Sequence, residues 1–122
     1  MRPTIIAALA LIAPLMPAIA RADITTYEGL YVPNYPGFEG WTCTNIGQDG
    51  GAVGFQDGQM IGLENSCTMA NERALPELGA HLYDMTCSGE GETSTQSVML
   101  MQHDAGIYVI YPGVVVDWAA CD

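Results

Sequence analysis

The chain contains no lysine, and its three cations, Arg2, Arg21 and Arg73, face 14 aspartates and glutamates, for a formal charge of −11 at pH 7. Binding to phosphate backbones or anionic membranes rests on clustered Lys and Arg, so this composition excludes nucleic acid as a partner. Histidines are equally scarce: only His81 and His103 are present, and no Gly-x-Ser-x-Gly elbow exposes a serine nucleophile. There is no Cys-x₂-Cys pair to seed a zinc site. Nor is any run after the first 22 residues long and apolar enough to span a bilayer as a helix, which takes about 20 apolar residues.

Those first 22 residues read as a cleaved signal peptide. Met1-Arg2 supplies a short positive start, residues 4–19 are apolar apart from Thr4, and Pro14 and Pro17 interrupt the run. Two small-x-small sites follow, Ala18-Ile19-Ala20 and Ala20-Arg21-Ala22; cleavage is expected after Ala22, with Ala20 the alternative. No cysteine stands there to accept a lipid, so the exported chain is expected in the periplasm or outside the cell without a membrane anchor. Arg73 is then its only cation against all 14 acids. Charge of this kind keeps a protein soluble, and it favours a cationic protein as partner.

About 100 residues form a single small domain, for which covalent help is valuable. Four cysteines, all after residue 22, predict two disulfides in an oxidising compartment. Three pairings are open. The nested one, Cys43–Cys121 with Cys67–Cys87, is favoured because it joins strand ends; the sequential pairing is its rival. Each bridge is worth roughly 3–4.5 kcal/mol in the chain-entropy model.

The pattern predicts an all-β domain, a small antiparallel sandwich or barrel with at most one helical turn. Residues 23–40 read as an irregular entry segment, broken by Pro33 and by Pro36-Gly37, that folds over one end of a sheet and buries the rings of Tyr27, Tyr31 and Tyr35, an exposed aromatic patch being the alternative. The β domain is expected over residues 41–122, starting with a strand at Trp41-Thr42-Cys43-Thr44. Asp57-Gly58 predicts a type I′ hairpin. Residues 71–78 allow one helical turn capped by Asn71, or an irregular loop, because Pro76 interrupts it. Strand alternation puts His81, Tyr83, Met85 and Cys87 on one face, and Ser97, Met99, Met101 and His103 on a face opposite Val98 and Leu100.

The order Trp41-Thr42-Cys43, Glu64-Asn65-Ser66-Cys67, Cys87-Ser88-Gly89-Glu90-Gly91 and Cys121-Asp122 resembles small exported, disulfide-containing all-β proteins of proteobacteria with no assigned activity. The resemblance implies a compartment and a β fold. Periplasmic lysozyme inhibitors, similar in size and class, carry a Ser-Gly-x-x-Tyr loop. Here Ser88-Gly89 is present, but Glu92 replaces the tyrosine and removes the specific part of that motif.

No catalytic residue and no cofactor is assigned. Glu64, Glu90 and Glu92 flank the Cys67–Cys87 segment, and glycine-flanked acids of this kind read as turn tips. Asp49 and Asp57 with their glycines fit no calcium-loop spacing. Met99-x-Met101-x-His103 is the weak metal candidate: two thioethers and an imidazole on one strand face suit Cu(I), while alternate methionines also serve as core filler. The expectation is a non-enzymatic acidic domain that binds a cationic protein. A small hydrolase or copper-binding protein is the alternative, and it requires a deep polar pocket holding His81 or His103 beside a carboxylate.

Overall fold

The computed structural model describes residues 26–122. The signal-peptide expectation for residues 1–22 lies outside the described residues. Eight strands follow one another around a closed antiparallel barrel: β1 (Gly29–Pro33), β2 (Val53–Gln56), β3 (Gln59–Ile61), β4 (Ser66–Leu75), β5 (Ala80–Gly89), β6 (Glu92–His103), β7 (Gly106–Tyr111) and β8 (Val114–Ala120). Each pairs with its neighbour in sequence, and β8 closes on β1 through Tyr31↔Ala120, Val32↔Ala119 and Pro33↔Trp118. Among the described residues no helix is long and apolar enough to cross a membrane.

Turn chemistry sets the hairpins. Asp57-Gly58 and Glu90-Gly91 both have positive φ at both positions (53° and 79°, 51° and 79°), as a type I′ turn requires. Pro112 followed by Gly113 at φ 79° has the pattern of a type II turn.

The interior is filled by the inward residue of each alternation. Tyr83, Met85 and Cys87 of β5, Val98 and Leu100 of β6, Val109 of β7 and Trp118 of β8 are buried with Phe55 and Met60. Rings carry much of this core: Tyr31 meets Phe55 edge-on at 5.8 Å between centroids, and Trp118 lies 5.9 Å from Phe55 and 6.2 Å from Tyr31.

The entry segment differs from the expectation. Residues 23–40 are not irregular throughout, because Gly29–Pro33 is β1, the strand that closes the barrel. Local signals hid it: glycine opens it and proline ends it, and its three-residue pairings with β2 and β8 come from partners far along the chain. The rings of Tyr27 and Tyr31 are buried as expected, but within the barrel core rather than over one end, while Tyr35 stays exposed. Conversely Trp41-Thr42-Cys43-Thr44 is not a strand; it lies in the loop between β1 and β2, where Trp41 packs on the core and on Phe38.

Residues 71–78 also differ. Asn71 caps no helix: β4 runs on to Leu75, and only Pro76–Leu78 forms a 3₁₀ turn. Between Ala70 and Arg73 the register with β5 shifts, so Asn71 (φ 53°) and Glu72 together oppose Tyr83. This bulge reverses the face of every later residue in the strand. It turns Glu72 toward the interior end and puts Arg73 outside, opposite Leu82, where its guanidinium reaches Asp84 at 3.1 Å.

The disulfides join Cys67 to Cys87, directly opposed in the β4–β5 ladder, and Cys43 to Cys121. The second ties the β1–β2 loop to the end of β8, whose Cys121 amide also donates to the Leu30 carbonyl at 3.0 Å.

Candidate functional site

At the end of the barrel carrying the β3–β4 and β5–β6 turns, a cleft of about 260 Å³ is lined by Glu64, Asn65, Ser88, Glu90, Glu92 and Ser94, with Cys87 of the disulfide also contributing. Its walls approach because Gly89 has no side chain. A Cβ there would stand 2.5 Å from the Glu64 carbonyl oxygen and 2.8 Å from the Asn65 Cβ. Glu64 and Glu90 both sit in left-handed backbone, φ 59° and 51°, at the tips of neighbouring turns. The two carboxyls meet. Sharing a hydrogen bond with Glu90, and then the charge of Glu90, pushes the Glu64 carboxyl above the usual carboxylate range; a smaller desolvation effect and Asp49 add to it. The cleft therefore concentrates negative charge and holds one proton more firmly than a free glutamate does.

The opposite end holds a buried polar cluster. The Tyr27 hydroxyl, fully buried, lies 2.6 Å from His81 Nδ1 and donates to the Leu100 carbonyl at 3.1 Å. A hydroxyl has one proton and a carbonyl only accepts, so satisfying both contacts puts the Nδ1 hydrogen on His81. His81 Nε2 stands 3.6 Å from Glu72 Oε1, to which Tyr83 donates at 3.4 Å. Burial, then the Glu72 charge, then Tyr31 push the Tyr27 phenol from 10.0 to about 12, so it remains a hydrogen-bond donor.

His103 is differently placed. The Ala105 amide donates to its Nδ1 at 3.2 Å, so the ring hydrogen sits on Nε2 and is donated to Asp117 Oδ1 at 2.7 Å. Both ring nitrogens are hydrogen-bonded in this arrangement. Met99 and Met101 share its face, as the alternation predicts, but that face is the outside of the barrel. They are half-buried there and are not core filler. Among the described residues no group of three or more His, Cys, Asp or Glu side chains is arranged to hold a metal. A depression of about 450 Å³ includes His103, Asp104 and Asp122, and no serine, threonine or cysteine lines it.

Sequence spacing alone brings Glu64 and Glu90 to the flanks of one cysteine pair; their contact depends on the bare backbone at Gly89. The Tyr27–His81–Glu72 cluster had no local signal, since it needs both the closing strand and the bulge. Comparison of the chain with protein-family models, with curated proteins and with solved structures found no match.

Proposed function

We propose that this protein is a non-enzymatic binding domain, exported to the periplasm or beyond, that takes a cationic protein at its acidic cleft. The observation that carries this reading is the Glu64–Glu90 pair, two carboxyls pressed together with Glu92 on the same wall. Like charges held this close are relieved when a lysine or arginine side chain enters between them. The filled interior supports a surface interaction over enclosure of a small molecule. Two disulfides support an oxidising compartment.

Calorimetric titration against egg-white lysozyme and cytochrome c, two basic proteins, tests it. Binding is expected at low salt, weakening steeply toward about 0.15 M, where the Debye length is about 8 Å. The double variant Glu64→Gln/Glu90→Gln should lose most of it. No heat with any basic protein at low salt would end the proposal.

A further inference from the structure

Outside the barrel, strands β5 to β8 carry an apolar face. The ladder places Leu82 beside Met99, Met99 beside Ile110 and Ile110 beside Val115, while Met101 and Tyr108 form the next row. Tyr108 is 37% exposed and Val115 61% exposed. Four strands at about 4.8 Å spacing make the row about 14 Å wide, enough to seat one helix of about 10 Å diameter.

Charge selects among occupants. Asp84 and Arg73 pair with one another and cancel, and the remaining acids near this face are Asp117, which accepts from His103, Asp104 in the β6–β7 turn and Glu77 in the 3₁₀ turn. A second copy, with 14 acids against three cations, is repelled. An apolar centre inside an acidic rim matches a segment with an apolar stripe flanked by lysine and arginine.

From these features we infer that the outer face of β5–β8 docks a basic amphipathic segment of the partner, Ile110 and Val115 receiving its apolar stripe. This rests on the cationic-partner reading above and adds a second surface to it. Affinity comes from both surfaces, the cleft contributing charge and the face contributing apolar contact.

The test compares two probes of equal charge: a basic amphipathic helical peptide of leucine and lysine, and oligolysine. The disulfide-bonded protein should bind the amphipathic peptide at least tenfold more tightly. Ile110→Thr/Val115→Thr, which keeps β-branched side chains in both strands, should erase that margin. Glu64→Gln/Glu90→Gln should weaken both peptides alike. Equal binding of the two peptides to the unaltered protein removes the apolar face and leaves the acidic-cleft reading standing. A margin that survives Ile110→Thr/Val115→Thr also overturns the inference, and failure of both peptides to bind sinks it together with the cationic-partner reading. Amide shift mapping on the unaltered protein gives the answer without a variant: shifts should cluster on the outer residues of β6–β8. Shifts confined to the turns at Glu64 and Glu90, or self-association on this face, would overturn it.

Discussion

Replacing Tyr27 by phenylalanine keeps the ring in the core and removes one oxygen. That oxygen contacts His81 Nδ1 and the Leu100 carbonyl, both at a buried site. Losing them should cost about 1–2 kcal/mol near neutrality, since a typical net hydrogen bond is worth about 1 kcal/mol and the partners are left unsatisfied. At high pH the sign reverses. The phenol is raised from 10.0 to about 12 on folding, so the native state favours its protonated form. Its contribution is fully present below pH 10, and is lost as pH rises through about 12. Two pKa units correspond to about 2.7 kcal/mol, of which about 1.4 kcal/mol has gone by pH 11. The variant has no phenol at this position to ionise. Stability curves of the two proteins, measured by urea titration at successive pH values, should therefore meet near about pH 11, with the variant the more stable beyond it. Tyr31, Tyr35 and Tyr111 are raised by burial in both proteins, so their share cancels in the difference. A gap that stays constant from pH 8 to 12 would refute the placement of Tyr27 as a buried, hydrogen-bonded phenol.

Four further outcomes are expected. Glu90→Gln should bring the Glu64 titration back toward the ordinary carboxylate range in side-chain NMR, because Glu90 is the largest cause of its rise. Glu64, raised on folding, makes a contribution present at low pH and lost as pH climbs through its folded value; Asp84, held down by hydrogen bonds from Asn71 and Arg73, makes one lost as pH falls below its unfolded 3.8. Asn71→Ala should therefore raise the Asp84 titration point measured in the same spectra. Gly54→Ala should destabilise by about 3 kcal/mol or more in chemical denaturation, since a Cβ there falls on the Gly29 carbonyl oxygen across the β1–β2 pair. Removing Cys43–Cys121 by paired serine substitution should cost about 4.5 kcal/mol in the chain-entropy model, more than the about 3 kcal/mol assigned to the shorter Cys67–Cys87 loop.

Much of the barrel was legible because its signals are local. Asp57-Gly58, Glu90-Gly91 and Pro112-Gly113 mark hairpins by backbone chemistry alone, and alternation groups Tyr83 with Met85 in β5 and Val98 with Leu100 in β6, faces that the barrel turns into its core. β1 was not legible, because a five-residue strand that begins with glycine and ends with proline gains its order from β2 and β8. The β4 bulge was hidden for a related reason: helix-favouring residues at 72–75 and Pro76 outweighed a strand pattern whose phase changes partway. Alternation placed Met99, Met101 and His103 together but not their side of the sheet, and the structure puts them outside.

What the sequence by itself determined is the class of the molecule: a four-cysteine, lysine-free, strongly acidic chain with strand periods and turn residues that make an antiparallel all-β domain. Closure into a barrel, the pairing of the cysteines, the inward turn of Glu72 and the meeting of Glu64 with Glu90 were decided by tertiary structure. Each depends on contact between segments distant in sequence, where register and the bare backbone of glycines such as Gly89 set which side chains meet. Glu64 and Glu90 are ordinary turn acids in the sequence; the fold presses them together and gives the cleft its charge.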